Sequence, residues 1–393
     1  MKVLQINTTY GLGSTGRIVS GIDNLLQSEG IESYIGYGYG SLVDEQHYKI
    51  INKFDSYSHN ALSRLFDGQG LMSKMKTKKF VEWVDQISPD VIHLHNLHGN
   101  FFNYEILFDY LKKSNCRVVW TLHDCWTFTG HCAYFDMAGC EKWKTLCDHC
   151  PQTKGYPPSF VDCSKRNYNL KKRLFTALGN RLTMIPVSNW LEDLLKESYF
   201  CNTRVQTIHN GINLSNFVPS PKGKGNNYVL GVAAVWDERK GMKDFIKLRG
   251  LLDEKVDIIL VGLTKKQIQA LPEGIKGISR TNSVAELAQL YSDALVTVNP
   301  TYEDNYPTVN LESIACGTPV ITYRTGGSPE SVEESCGVVV EKGDIEATRK
   351  SIYEIVSGSL KYESKKLRLF AENNFDEKDC FRSYIDLYKG MAQ

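Results

Sequence analysis

The 393-residue sequence contains no apolar run close to the roughly 18 residues that a membrane-spanning helix needs. It also has almost no net charge, because 46 Lys and Arg residues are balanced by 45 Asp and Glu residues. This balance gives the chain no overall attraction to nucleic acid or to an anionic membrane, although it does not exclude a local basic patch. With 42% apolar and 23% charged residues, the composition excludes a disordered chain or a fibrous repeat.

The N-terminal stretch MKVLQINTTY lacks the apolar core of a secretion signal, because Gln5 and Asn7 interrupt it. We predict that it is an opening β-strand and that the chain stays in the cytoplasm. Eleven cysteines, an odd number in a long chain without a signal, do not indicate a disulfide framework.

Short β-rich runs alternate with amphipathic helical stretches along nearly the whole chain, which is typical of parallel sheets covered on both faces by helices. The alternation restarts after residues 219–225, the best linker candidate. We therefore predict an α/β fold with two doubly wound, Rossmann-like domains facing a cleft. The predicted domains are residues 1–212, with an irregular Cys-rich insertion over about 124–163, and residues 213–375, followed by a helix over 376–393 that crosses back to the first domain.

The segment GLGSTG gives Gly11, Gly13 and Gly16 the G-x-G-x-x-G spacing, between a predicted strand and a predicted helix. In dinucleotide-binding folds this spacing places a pyrophosphate at the helix N-terminus. Such a fold also needs an acidic residue about 20 residues further on, and the stretch 35–40 has no carboxylate. NAD binding is therefore disfavoured. The segment is either a tight strand-to-helix turn or a loop that presents backbone N–H groups to a phosphate or a sugar.

The stretch PTYEDNYPTVNLE, residues 300–312, follows a predicted strand and is rich in acids and amides. Pro307 suits the first position of a helix, and the free N–H groups that follow it offer an anion site at the carboxyl edge of the sheet. Asp304 before this helix and Glu312 in its second turn are suited to accept hydrogen bonds from paired sugar hydroxyls. The alternative is an acidic loop followed by a solvated glutamate.

Asp304-x7-Glu312, followed by ACGTPV from Ala315 and GGSPE from Gly326, is similar to the signature of the family-4 retaining glycosyltransferases of the GT-B fold. The family pattern begins with Glu where this chain has Asp304, and Glu303 is an acid in the neighbouring position.

Two further segments, residues 210–212 and 236–241, resemble the domain junction of that family and its basic motif after the first strand of the second domain. The family usually has an Arg where this chain has Val235, and Arg239 is the candidate to take its place. The resemblance covers nearly the whole chain and is of the bacterial polysaccharide-biosynthesis type.

This resemblance implies that the chain moves a sugar from a UDP- or GDP-sugar to a glycan or lipid-linked acceptor, with the first domain on the acceptor side. It implies that Glu312 holds the donor ribose, that Asp304 contacts the sugar ring, and that Arg239 and Lys240 balance the diphosphate charge. The implied catalytic residues are His123, Asp304, Arg239 and Lys240; the implied donor-binding residues are Gly11, Gly13, Gly16, Asn305, Tyr306, Pro307, Thr308, Val309 and Glu312. No Asp-x-Asp pair is present, so we expect no catalytic metal ion.

Cys132, Cys140, Cys147 and Cys150 form a C-x7-C-x6-C-x2-C pattern in the predicted insertion. Four thiols so close together in a reducing compartment predict a structural zinc site, with His131, His149 and Cys163 as substitute ligands. A zinc bound by four thiolates has no open position for water, so its role would be to support the fold. The alternative is a set of buried or free thiols in a long loop.

Two other patterns have alternative interpretations. Strand alternation would place His93 and His95 on one face, as a metal-ligand pair or as a strand end near the acceptor, and the resemblance favours the latter. The basic clusters 74–79 and 171–173 are either solvated helix faces or contacts with membrane lipid phosphates at the cytoplasmic face.

Two other functions compete with glycosyl transfer. A sugar-nucleotide epimerase can have the same two-domain architecture, but it needs an acid/base pair flanking the sugar and none is recognisable. A non-catalytic sugar-nucleotide or nucleic-acid binding protein is the third candidate. The neutral charge and the acidic site residues argue against its nucleic-acid version.

Overall fold

The computed structural model describes residues 1–221 and 227–391, so residues 222–225 of the linker candidate lie outside the described residues. The chain forms two compact units: Met1–His209 together with the segment from Phe381, and Asn210–Cys380. The division thus falls after His209, whereas the sequence placed the domain boundary after residue 212 and the linker candidate further on.

The first unit is a seven-stranded parallel sheet with helices between the strands. Its strands are β1 (Lys2–Thr9), β2 (Glu32–Tyr39), β3 (His47–Lys49), β4 (Val91–Leu94), β5 (Arg117–Leu122), β6 (Leu182–Pro186) and β7 (Arg204–Val205), and its helices are α1 (Gly13–Ser28), α2 (Lys53–Phe66), α3 (Lys74–Ile87), α4 (Tyr104–Lys113), α5 (Ser164–Phe175) and α6 (Asn189–Glu197). The strand order is β3-β2-β1-β4-β5-β6-β7. The order reverses between β1 and β4, where doubly wound sheets bind ligands.

The Cys-rich insertion lies between β5 and α5 and contains two short 3-10 turns, Trp126–Phe128 and Lys142–Lys144. It has a small aromatic core of its own, in which Phe128, Phe135 and Trp143 are buried against one another. This core is what a long segment without helices or strands needs in order to hold a defined shape.

The second unit is a six-stranded parallel sheet. Its strands are β8 (Tyr228–Val232), β9 (Asp257–Val261), β10 (Ile275–Ile278), β11 (Val296–Asn299), β12 (Val320–Tyr323) and β13 (Gly337–Val340), and its helices are α7 (Met242–Leu251), α8 (Lys265–Gln269), α9 (Val284–Asp293), α10 (Thr308–Ala315), α11 (Ile345–Ser357) and α12 (Ser364–Asn374). The order β10-β9-β8-β11-β12-β13 reverses between β8 and β11. The core contains Val229, Phe245, Leu260, Val298 and Ile352.

The last helix, α13 (Glu377–Met391), begins in the second unit, and from Phe381 onward it belongs to the first. Its buried tyrosines satisfy polar groups of the first sheet: the Tyr384 hydroxyl lies 3.0 Å from Thr121 Oγ1, and the Tyr388 hydroxyl is hydrogen-bonded to His93 Nδ1. Because buried polar groups are costly to leave unpaired, these contacts fix the position of the helix on the sheet.

Both sheets are parallel, and in each the order of strands reverses once. The prediction of two doubly wound, Rossmann-like domains is therefore confirmed. Among the described residues, no helix combines the length and the apolarity needed to cross a membrane.

Candidate functional site

The acidic stretch lies where the sequence predicted it, in the loop from the end of β11 to the first turn of α10. One detail differs: the helix begins at Thr308, and Pro307 precedes it in an extended conformation with φ −72° and ψ 117°. Pro307 therefore occupies the capping position and was wrongly predicted as the first helical residue. No side chain at that position caps the helix, and Thr308 and Val309 belong to its first turn.

Glu312 is a buried carboxylate, with 4% of its surface exposed. Its Oε2 accepts a hydrogen bond from the Tyr291 hydroxyl at 2.9 Å, and Tyr291 is itself buried in α9. The alternative of a solvated helix glutamate is therefore wrong. Since a buried carboxylate is unfavourable without hydrogen-bond donors, this environment suits an acid that binds polar hydrogens.

Lys240 and Asp304 form an ion pair, with 2.5 Å between Nζ and Oδ2 and both side chains partly shielded from solvent. The pair joins the turn after β8 to the loop after β11. A second contact joins the same two segments, since Tyr302 N donates to the Arg239 carbonyl oxygen at 2.6 Å. The structure therefore brings together the acidic and basic motifs, which are more than sixty residues apart in sequence.

Arg239 points its guanidinium at Asp237, with Nε at 3.0 Å and Nη2 at 2.8 Å from Oδ2. It is the neighbouring Lys240 that pairs with Asp304. Glu303, the other acid considered for the first acidic position, is buried. Asp304 contacts the basic turn through Lys240, and the assignment of one of the two acids to the first acidic position stays a prediction.

Two glycines allow the loops to approach one another closely. Gly326 has a φ of +53°, and a Cβ there would lie 1.8 Å from the Asp304 carbonyl oxygen. Gly241 has a φ of +70°, and its Cβ would lie 2.2 Å from the Pro300 carbonyl oxygen. Neither position has room for a side chain, which explains why glycine stands there.

Asn310 holds this edge together and was not singled out in the sequence. Its Oδ1 accepts from Asn299 Nδ2 at 2.9 Å, and its Nδ2 lies 3.2 Å from Ser328 Oγ and 3.0 Å from Ser331 Oγ. The residue thus ties the end of β11 to α10 and to the GGSPE turn. Its position in the first turn of α10, after a strand that ends in Asn299, was the available signal.

In the first unit, the Gly-rich segment forms the turn from β1 to α1. Gly11 and Gly13 have φ values of +69° and +68°, and a Cβ on Gly16 would lie 2.7 Å from Thr9 Oγ1. Gly13 and Gly16 already belong to α1. The tight-turn interpretation therefore describes the backbone, and contact with a phosphate stays a prediction.

His123 follows the last residue of β5, is partly buried, and lies next to two fully buried histidines, His93 and His95. His123 Nε2 lies 3.1 Å from His95 Nδ1, and His95 Nε2 lies 3.2 Å from Gln5 Oε1. The His93 ring lies beside that of His95, with ring centroids 4.0 Å apart and the rings tilted by 38°. Burial lowers the pKa of His123 to about 4 and lowers the pKa values of His93 and His95 well below 6.5. These imidazoles are therefore neutral near pH 7.

A second pair at the same edge, His98 and Asp124, was not recognised in the sequence. His98 Nε2 lies 2.7 Å from Asp124 Oδ2, and His98 Nδ1 lies 3.2 Å from the Tyr156 hydroxyl. Burial raises the pKa of Asp124, but the interactions with His98 outweigh it and leave the pKa below its usual value. The available signal was that both residues follow the ends of predicted strands, which became adjacent as β4 and β5.

The four cysteines of the insertion line one cavity, together with Phe135 and Trp143. Backbone N–H groups point at two of the sulfurs, with Gly130 N 3.2 Å from Cys147 Sγ and Gln152 N 3.4 Å from Cys150 Sγ. A hydrogen bond from Cys132 lowers the pKa of Cys150 to about 7. Across residues 1–221 and 227–391, no three or more Cys, His, Asp or Glu side chains are arranged to hold a metal ion.

The proposed substitute ligands are placed differently. His131 is buried and its Nδ1 lies 2.6 Å from Asp67 Oδ1, whereas the His149 side chain is largely exposed. Zinc ligation stays a prediction, and the four cysteines sharing a cavity are its ligand candidates.

Within the cluster 171–173, Lys171 is buried and fits neither the solvated-face nor the lipid-contact interpretation, whereas Lys172 and Arg173 are exposed. Only 1% of the Lys171 surface is exposed, and its Nζ donates to the carbonyl oxygens of Trp126 and Thr129 at 2.7 and 3.2 Å. Burial lowers its pKa to about 7. Lys171 lies on the buried face of α5, and its hydrogen bonds fix the first residues of the insertion to this helix.

Two family models match the chain in order: Glycosyltransferase Family 4 over residues 55–216 and Glycosyl transferases group 1 over residues 226–357. An Escherichia coli K12 protein named as a colanic acid biosynthesis glycosyl transferase, WcaC, is 25% identical over 100% of both chains. The O-antigen chain mannosyltransferase RfbU of Salmonella typhimurium is 25% identical over 42% of this chain and 48% of its own.

Solved structures give the same fold. A sucrose-phosphate synthase from Thermosynechococcus elongatus has a TM-score of 0.73 at 16% identity, covering 99% of this chain and 98% of its own. Anabaena Alr3699/HepE in complex with UDP-glucose has a TM-score of 0.67 at 15% identity, covering 99% and 100%. These similarities confirm the GT-B fold, and the relatives named as transferases do not favour the epimerase.

The buried histidines generate a prediction for stability. An unfolded histidine has a pKa near 6.5, so between about pH 6.5 and pH 4 the unfolded chain binds more protons than the folded one. The free energy of unfolding should therefore fall as the pH falls through this window. Urea unfolding at a series of pH values measures it.

The matched variants for this experiment are His123→Asn, which removes one such group, and His149→Asn, which removes an exposed one. The first should weaken the pH dependence and the second should leave it unchanged. An unfolding free energy that is flat or rises on acidification would show that these histidines are not held neutral.

The zinc prediction is tested by the metal content of the purified chain. About one zinc per chain is expected by elemental analysis, and a Cys147→Ser, Cys150→Ser variant should lose it and unfold at a lower temperature. The exposed Cys201 gives the control, because Cys201→Ser should keep the metal. A metal-free wild type with the same stability before and after chelation would support the alternative of free thiols.

The signature segments lie in the second unit, and the two family models together span residues from both units. On these findings, the chain belongs to the family-4 glycosyltransferases of the GT-B fold.

Proposed function

We propose that the chain is a retaining glycosyltransferase that moves a sugar from a UDP- or GDP-sugar to a glycan or lipid-linked acceptor, without a catalytic metal ion. The observation that carries the proposal is the carboxyl edge of the second sheet. There the segments after β8 and β11 form the ion pair Lys240–Asp304, and helix α10, which follows the second segment, carries the buried carboxylate Glu312.

Glu312 is suited to the ribose of the donor. Its carboxylate is buried, and Tyr291 orients one oxygen through a hydrogen bond. Two adjacent hydroxyl groups can donate to one carboxylate in the way that other paired donors do. Solved structures of Anabaena Alr3699/HepE contain UDP, UDP with glucose, and UDP-glucose, which supports a nucleotide-sugar donor for this fold.

Lys240 and Asp304 are suited to the reacting end of the donor. A diphosphate carries more charge than Asp304, so a bound donor would compete for the Lys240 ammonium and leave Asp304 to accept from sugar hydroxyls. Fixed cations at a departing diphosphate stabilise the charge that develops there, which is the role a divalent metal has in other enzymes. Arg239 lies in the same turn, where its ion pair with Asp237 orients the guanidinium.

The named relatives support a role in cell-surface polysaccharide synthesis. The Escherichia coli protein is named for colanic acid biosynthesis and the Salmonella protein for the O-antigen chain. In the proposed retaining reaction the acceptor hydroxyl attacks from the face that the diphosphate leaves. The acceptor proton passes to the departing phosphate oxygen, so no covalent enzyme intermediate forms.

Glu312→Gln tests the donor site. The change keeps the shape of the side chain but removes the charge from its hydrogen bonds to the ribose. Charge-assisted bonds contribute roughly 1.5–3 kcal/mol and neutral ones about 1, so a loss of about 1–3 kcal/mol is expected. This corresponds to about 5- to 150-fold in kcat/KM. Calorimetry with UDP and GDP measures the same loss without an acceptor.

Asp304→Asn is the companion variant, because it should slow sugar transfer while leaving the affinity for bare nucleoside diphosphate nearly unchanged. Thermal stability must stay near that of the wild type in both. If Glu312→Gln binds UDP and GDP as the wild type does and turns over normally, this edge of the sheet is not the donor site.

Metal independence and transfer are tested in one assay. Turnover should persist in EDTA, in a reaction short enough to retain tightly bound zinc. The donor should be consumed only when an acceptor is present. Loss of turnover that Mn²⁺ restores would contradict catalysis without a metal ion. Conversion of the donor to a second nucleotide sugar without acceptor would identify an epimerase instead. The anomeric configuration of the product, read by NMR, must match that of the donor.

A further inference from the structure

Helix α2 is folded with polar residues inside and apolar residues outside. His59 and Ser63 are buried, whereas Phe54 and Tyr57 are 78% and 75% exposed and Leu65 is half-exposed. Tyr57 and Leu65 follow Phe54 by three and eleven positions, and this spacing places all three side chains on one side of the helix. A surface helix normally has the opposite arrangement, because exposing a continuous apolar side to water is unfavourable.

The exposed apolar side continues onto the Cys-rich insertion. Phe160 is 77% exposed, and its N–H donates to the Arg64 carbonyl oxygen at 2.8 Å, which places it beside the last turn of α2. Leu65 and Phe66 in that turn are exposed as well. We call Phe54, Tyr57, Leu65, Phe66 and Phe160 the apolar patch. Contiguous patches of this kind usually mark an interaction surface.

Positive charge lies next to the apolar patch. The first two turns of α3 contain four lysines, at positions 74, 76, 78 and 79, and no acid lies in the first turn. Lys76 Nζ is 3.0 Å from Asp55 Oδ2, so this end of α3 lies beside the start of α2 and beside Phe54. Lys74, Lys78 and Lys79 are exposed.

These lysines do not stabilise the helix that carries them. The N-terminus of a helix bears partial positive charge, so lysines there are unfavourable and acids are preferred. The chain as a whole is nearly neutral, with a net charge of +1, so this concentration of lysines is local. An anionic partner would offset the repulsion among the lysines and the repulsion between them and the positive end of the helix.

We propose that the apolar patch and the lysines of α3 bind the surface of an anionic lipid bilayer. Aromatic and aliphatic side chains on one side of a helix can insert among lipid headgroups and acyl chains, while lysines beside them contact lipid phosphates. Lipid is favoured over a nucleic acid because the patch consists of large apolar side chains. The surface belongs to the first unit alone, and its binding to lipid does not depend on the proposed transfer reaction.

Flotation of the full-length chain with vesicles tests this inference, without donor or acceptor. The wild type should float with vesicles of phosphatidylcholine and phosphatidylglycerol and remain unbound with phosphatidylcholine alone. The double variant Phe54→Ser, Tyr57→Ser should lower binding by about tenfold or more, since two large apolar side chains are lost. The triple variant Lys74→Gln, Lys78→Gln, Lys79→Gln should lower it as well and remove most of its dependence on salt.

Matched controls lie in the second unit. Leu369→Ser removes another exposed apolar side chain, and Lys247→Gln, Lys350→Gln removes exposed lysines. These variants should float as the wild type does. Because every substituted side chain is exposed, all variants should unfold near the wild-type temperature, and circular dichroism checks this.

A wild type that stays unbound with anionic vesicles would overturn the proposal, as would patch variants that float as well as the controls. A third outcome is a chain that does not bind vesicles but forms a dimer by light scattering, and that loses the dimer in the Phe54→Ser, Tyr57→Ser variant. In that case the patch binds a second copy of the chain and not lipid. Since no nucleotide is present, none of these outcomes bears on the donor site.

Discussion

Parallel strand pairing is the constraint on which the candidate site depends. When all strands of a sheet run in the same direction, the loops that follow them emerge at one edge. In the second unit the neighbouring strands β8, β11 and β12 deliver Lys240, Asp304 and Gly326 to that edge. In the first unit β1, β4 and β5 deliver the Gly-rich turn, His95 and His123. Residues distant in sequence meet because the connections return over the sheet faces.

Bringing so many polar groups to a buried edge is unfavourable unless they satisfy one another. The chain meets this requirement with short chains of side-chain hydrogen bonds. Asn310 bridges Asn299 and the serines of the GGSPE turn, and Thr121 bridges His93 and Tyr384. Such contacts hold the loops in one arrangement before a ligand binds, which lowers the ordering cost of binding.

The fold could be predicted because its signals are local and repeated. Apolar runs typical of buried strands alternate with segments of helical periodicity, and each can be recognised without information on distant contacts. The acidic and basic motifs were found for the same reason, as each lies in one short segment. The His98–Asp124 pair was missed, because the contact forms only once β4 and β5 are adjacent. Lys171 was misjudged because a run of basic residues does not reveal which side chain of a helix faces inward. Whether the four thiols of the insertion bind zinc depends on distances that spacing alone does not set.

The unusual orientation of α2 follows from how its inner side is held. His59 Nδ1 is bonded to Ser73 Oγ at 2.8 Å, and Asp67 just after the helix accepts from His131 and from the Cys163 N–H. Polar contacts to the start of α3 and to the insertion therefore hold α2 in place. An ordinary surface helix is held instead by packing its apolar side against the core. The inner contacts are hydrogen bonds, and the exposed apolar residues take no part in them. The same contacts place α3 and Phe160 at the two ends of α2, so the lysines and the aromatic side chains form one surface.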